Sequence, residues 1–152
     1  MNRIKLPCVL LLLLGFAGAT PAAEITAQAL TSAPLVDGVV VSDVAWRSVS
    51  PASDFTQVTP DEGQPATQKT EVYVGFTEDT LYIGAVLYDT EPDRIIVSDN
   101  RRDADLEDTD SFLMILDSYL DRKNGFVFGT NVGGAEYDGQ VTNEGTSGFG
   151  SG

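Results

Sequence analysis

The chain has no histidine and a single cysteine. Without imidazole there is no triad of the Ser-His-Asp type, no general base with an ordinary pKa near neutrality, and no supply of the commonest transition-metal ligand. The cysteine, Cys8, sits in an apolar stretch and lacks the small residues that a lipoprotein signal places just before its cysteine, so lipidation is not expected. That stretch belongs to residues 1–19, which have the three parts of a secretory signal peptide. These are Arg3 and Lys5, an apolar middle over residues 6–16, and Ala17-Gly18-Ala19 as a small-residue cleavage motif. The middle is about a dozen residues long where a membrane-spanning helix needs about 20, so it reads as a cleaved signal, not an anchor. With the cut between residues 19 and 23, the mature chain loses its thiol. Disulfides and cysteine-ligated zinc are then excluded.

Cations are scarce as well: nine Lys and Arg stand against 23 Asp and Glu, a formal charge of −14. Removal of the signal takes Arg3 and Lys5, leaving 23 acids, seven bases and a charge of −16. Such a surface repels phosphate backbones and anionic headgroups, which excludes nucleic acid as a partner. It favours solubility in the periplasm, at the outer membrane or outside the cell, and affinity for divalent cations. Calcium is the natural one for oxygen donors alone. Tryptophan is limited to Trp46, which lies on a short turn between apolar neighbours and reads as a core plug. Long amphipathic helices and fixed-period repeats are missing too, which sets aside bundles, propellers and solenoids.

What the sequence does contain is alternation. Val72, Val74 and Phe76 alternate with Glu71, Tyr73 and Gly75; after Thr77-Glu78-Asp79-Thr80, Leu81, Ile83, Ala85 and Leu87 alternate with Tyr82, Gly84, Val86 and Tyr88. This pattern predicts a hairpin. Residues 110–139 predict a β-meander, with strands over 111–117 and 125–131 joined at Asn124-Gly125, whose expected positive backbone torsions would close the turn. A second turn is expected at Gly133-Gly134, and Tyr137-Asp138-Gly139 is expected to start another reversal. Weaker signals are an edge strand over 24–30, a turn at Asp37-Gly38, a helical turn capped by Ser42 or Asp43, a strand over 55–58, a helical turn at Pro92 and a strand over 95–97. The sum, about eight or nine strands, predicts an all-β fold, an antiparallel and jelly-roll-like β-sandwich. It spans residues 24–145, and the Gly/Ser-rich end 146–152 supplies no closing strand, as expected of an N-terminal piece of a longer protein.

Three sets of residues are candidates for chemistry. The acidic segment 103–110 begins like a calcium-binding EF-hand loop, but Asp108 stands where the sharp turn needs glycine and Met114 where a bidentate glutamate belongs. A loop site of another kind stays open, with Asp110 and Asp117 as the loop or metal carboxylates. Paired carboxylates also serve glycoside hydrolysis, yet 23 acids make pairs commonplace and no pair stands out. Tyr73, Tyr82 and Tyr88 lie opposite the aliphatic faces of their strands and are candidate stacking groups for sugars, whose C–H faces pack on aromatic rings.

The order of these pieces resembles the carbohydrate family 9 binding domain-like group. The residues that carry the resemblance are Val36-Asp37-Gly38 with Ser42-Asp43-Val44-Ala45-Trp46, then residues 71–76 with 79–83, Tyr88-Asp89 with Pro92-Asp93, and Asp110-Ser111-Phe112 with Leu116-Asp117 and residues 125–128. Residues 55–66 and 117–122 further resemble a subgroup of exported proteins in which this domain precedes a predicted outer-membrane β-barrel region. The resemblance implies a jelly-roll-like sandwich that binds oligo- or polysaccharide, often with calcium holding its loops, and that is found attached to glycoside hydrolases. Better-known members grip sugar between two tryptophans; here Trp46 stands alone, so no ligand residue carries over. The expected function is a non-catalytic carbohydrate-binding-type module. The rivals are a structural interaction domain preceding a barrel, and the binding module of a glycoside hydrolase whose catalytic part lies elsewhere.

Overall fold

A computed structural model describes residues 25–106 and 108–145; the expected signal peptide, Glu107 and the Gly/Ser-rich end lie outside the described residues. The all-β expectation holds. Six strands are present among the described residues, β1 Gln28–Ala29, β2 Thr70–Phe76, β3 Leu81–Leu87, β4 Ser111–Leu116, β5 Gly125–Asn131 and β6 Glu136–Val141, and the helical elements are three-residue 3₁₀ turns. The strands form two sheets, in the orders β1-β2-β3 and β4-β5-β6. The chain divides into two compact units after Tyr88, one sheet to each.

In the first unit the expected hairpin forms in full register, from Thr70 opposite Leu87 to Phe76 opposite Leu81. Asp79 closes its turn by accepting the hydroxyls of Thr77 and Thr80 at 3.2 and 3.0 Å. The sheet is not purely antiparallel, because β1 pairs with β2 in parallel, Gln28 opposite Gly75. The physical reason is the connection. Some forty residues separate β1 from β2, far beyond a hairpin turn and long enough for the crossover that re-entry in the same direction requires.

That long connection covers one face of the hairpin. Asp43 caps the 3₁₀ turn Val44–Trp46 by accepting the Ala45 N–H at 2.9 Å, and its other oxygen takes the Leu35 N–H at 2.9 Å. Those two donors hold the Asp43 carboxyl below the usual carboxylate range, Ala45 contributing most. The turn sets Trp46 down on β3, where only 6 % of it stays exposed. Gly84 makes the slot: a side-chain carbon there would lie 3.0 Å from Val40 and 3.2 Å from the indole. Gly75 does the same for Leu30, at 2.7 Å. The two glycines that interrupt the alternation are thus the places where the crossover packs down.

In the second unit β5 is central, paired over its whole length with β4 and β6. Val127 is 1 % exposed, and Ala135, Leu106 and Ala104 are buried with it among the core residues. Gly129 admits Leu106 and Leu113, which a side-chain carbon there would meet at 2.9 and 2.8 Å. Leu106 and Ala104 are the apolar members of the acidic segment and hold it against the sheet. Buried Asn131 fastens the ends of two loops: its amide donates to the Asp99 carbonyl at 2.6 Å, and its oxygen accepts the Ala135 N–H at 3.0 Å.

Several local expectations need correction. The β4-β5 hairpin is not closed by positive torsions at Asn124-Gly125; these occur at Leu120 and Arg122, and Gly125 already opens β5. Two aspartates shape the loop instead. Asp117 accepts the N–H groups of Tyr119, Asp121 and Arg122, and Asp121 accepts those of Lys123 and Asn124. Gly125 is needed for room, since a side-chain carbon would sit 2.8 Å from the Leu116 carbonyl oxygen. Residues 55–58 form only a single bridge, Thr56 to Pro65, because Pro60 and Pro65 offer no N–H to extend a ladder. Residues 95–97 are not a strand; Ile96 is clamped by Asp110, N–H to Oδ2 at 2.6 Å and Asp110 N–H to Ile96 carbonyl at 3.0 Å. Tyr137-Asp138-Gly139 runs inside β6, and the reversal lies before it, where Gly134 has φ +80°.

Candidate functional site

The first unit carries a shallow groove of about 250 Å³ beside the start of β2, lined among others by Asp54, Phe55, Pro65, Gln68, Lys69 and Thr70. Ala52 exchanges both backbone hydrogen bonds with Val72 at 2.9 Å, which pins the loop to the edge of β2. From there residues 53–66 double back on themselves: Ala66 N–H reaches the Phe55 carbonyl at 2.8 Å, and Gln57 N–H the Gln64 carbonyl at 2.8 Å. The loop presents Phe55 partly exposed, 37 % of its surface, at the groove.

At one end of the groove Lys69 heads a polar cluster. Its ammonium lies 2.6 Å from Glu71 Oε1 and 4.8 Å from the centre of the Tyr88 ring, a cation-π contact. Glu71 Oε2 accepts the Tyr88 hydroxyl at 3.0 Å and the Tyr73 hydroxyl at 3.4 Å. Strand register explains the gathering. Glu71 and Tyr73 share a face of β2 at period two, and the Tyr88 N–H donates to the Lys69 carbonyl at 2.9 Å, extending the pairing one step past β3. The charges lock one another: Lys69 first, then the Tyr88 hydroxyl, hold the Glu71 carboxyl below its ordinary range, and Glu71 raises the Lys69 ammonium. The Tyr88 phenol is raised by its bond to Glu71, the Tyr73 phenol first by desolvation and then by Glu71.

Of the three tyrosines expected to stack, the structure brings two together. Tyr73 and Tyr88 meet on Glu71, while Tyr82 lies opposite Gly75, near the slot filled by Leu30. Tyr73 also packs against Trp46, with ring centres 5.9 Å apart and planes tilted by 52°. Tyr88 is the exposed member of the pair. Asp37 and Gly38 sit at a bend, where the Asp37 carboxylate accepts the Val39 N–H at 2.9 Å and Gly38 has φ +80°.

The fold does not bring Asp110 and Asp117 together. They flank the six residues of β4, a separation on the order of 20 Å for extended chain, and each orders backbone N–H groups as described above. Among the described residues no three acidic side chains converge as a metal cluster would require. Sequence reasoning missed Lys69, Glu71 and Phe55 as site residues. The spacing Lys69-x-Glu71-x-Tyr73 was the available signal, since period two places all three on one strand face.

No family model, no curated protein and no solved structure matches the chain. The reading of its function rests on the residues themselves.

Proposed function

We propose that the chain is a non-catalytic carbohydrate-binding-type module of an exported envelope protein, a β-sandwich whose sugar site is the groove at Phe55 and Lys69. The observation that carries this reading is the pairing, in one groove, of a partly exposed aromatic ring with Lys69, itself fixed by Glu71 and Tyr88 beside the groove. A pyranose stacks its C–H face on Phe55, while its hydroxyls bond to Asp54, Gln68 and Lys69. The arrangement of motifs resembling carbohydrate family 9 binding domains supports it.

The test is calorimetric titration with cello- and xylo-oligosaccharides, with and without calcium, beside thermal-shift assays. Saturable heat that falls about tenfold in affinity for Phe55→Ala, the loss of one stacked ring, is the expected result. No heat and no thermal shift under any condition would remove the binding claim. A second reading, a structural interaction domain preceding an outer-membrane barrel, is favoured by the apolar residues left exposed on both sheets, among them Phe76, Leu87, Ile115 and Phe128.

A further inference from the structure

The second unit has one sheet edge that is protected and one that is not. On β6, Glu136 and Asp138 are held by Arg102, and Gly139 and Gln140 follow, so that edge carries charge and little apolar surface. The opposite edge is β4, Phe112-Leu113-Met114-Ile115-Leu116 after Ser111, with no charged residue, proline or glycine in the strand. Its six residues pair one for one with β5 on one side. On the other side, among the described residues, no strand stands beside it in that sheet, so the backbone N–H and C=O groups of alternate residues point outward. Leu113 and Ile115 are 48 % and 58 % exposed. Soluble proteins blunt long apolar edges with lysine, proline or bulges. An edge without any of these is a template for strand addition.

We propose that the free edge of β4 binds an extended segment of another protein, apolar at alternate positions and bracketed by Lys or Arg. Charge selects this occupant over a second copy. The ends of β4 are Asp110 and Asp117; Asp103, Asp105 and Asp108 before the first outnumber Arg101 and Arg102, and beyond the second Asp121 is offset by Arg122 and Lys123, so the cation preference rests on the two end carboxylates and the acidic run before Asp110. Antiparallel pairing of two copies would set Asp110 of each near Asp117 of the other, between chains of formal charge −14, and like charges facing across a strand pair are unfavourable. A segment with cations at its two ends meets the same carboxylates favourably.

The probe is the acetylated, amidated peptide Lys-Val-Thr-Ile-Thr-Val-Lys, followed by fluorescence anisotropy and by hydrogen exchange on the full chain. Expected are saturable binding, slowed exchange in residues 111–116 but not in 136–141, affinity about tenfold lower when salt is raised to shorten the screening length, and weaker binding of the version with glutamate at both ends. Ile115→Lys, which supplies the missing edge charge, is expected to abolish binding while keeping the far-ultraviolet spectrum; should it not fold, the exchange pattern of the wild-type chain decides. Absence of binding, protection in β6 in place of β4, or self-association that protects β4 without peptide would each overturn the proposal.

Discussion

Gly125→Ala tests how the β4-β5 hairpin is built. A glycine after asparagine ordinarily supplies positive torsions to a tight turn, but here Gly125 is the first residue of β5 and the positive torsions belong to Leu120 and Arg122. Its requirement is clearance, because an added carbon would meet the Leu116 carbonyl oxygen at 2.8 Å and backbone cannot yield as a side chain can. Overpacking of this kind costs about 1–3 kcal/mol, offset by about 0.4–1 kcal/mol from the reduced freedom of the unfolded chain. The net loss is about 1.3 kcal/mol at the middle of the two ranges. At about 2–4 °C per kcal/mol for a chain of this size, Tm falls by about 3–5 °C in scanning calorimetry. Gly125→Asn is the discriminating variant: asparagine tolerates positive torsions but carries the same Cβ, so it must cost at least as much as alanine. Gly134 is the control, with φ +80° and nothing within 4 Å of an added carbon, and there Asn should be tolerated better than Ala. A Gly125→Asn protein as stable as wild type would refute the clearance argument and restore the torsional one.

Three further outcomes follow from the geometry. Glu71→Gln removes the carboxylate that raises the Tyr88 phenol, so a phenolic step in the ultraviolet pH titration should move to lower pH, whereas an unchanged titration would contradict the Glu71 cluster. Asp99 is held at about 2 by the Arg101 guanidinium; because the folded-state pKa lies below the ordinary 3.8, this pair contributes stability above pH 3.8 that is lost as pH falls toward 2. Carboxyl NMR of Arg101→Ala should show Asp99 titrating higher, and the stability difference between variant and wild type should vanish at the acid end of that window. Asn131→Ala leaves the buried Ala135 N–H and the Asp99 carbonyl without their partner, a loss of about 1–3 kcal/mol in denaturant unfolding.

The sequence by itself determined the class of the fold and its two best hairpins. Alternation at period two over residues 70–87 and 111–131 is a local property, and strands that are neighbours in the chain pair with little freedom of register once one face is buried. It also marked a cap at Ser42 or Asp43, of which Asp43 serves, and a turn at Gly133-Gly134, since both roles depend on adjacent backbone. Period two says which residues share a face; it does not say what lies on that face. The parallel pairing of β1, the seating of Trp46 and Leu30 on Gly84 and Gly75, and the bond from Asn131 to Asp99 join residues some thirty to fifty positions apart, on the order of a crossover length. Only the tertiary structure decided them. The same holds for the candidate site: Lys69, Glu71 and Tyr73 were legible as one strand face, but Tyr88 and Phe55 reach it through β-pairing and through a loop pinned at Ala52. The fold likewise decided where the carboxylates of Asp110 and Asp117 go, holding them a strand length apart, Asp110 on the N–H of Ile96 and Asp117 on those of Tyr119, Asp121 and Arg122.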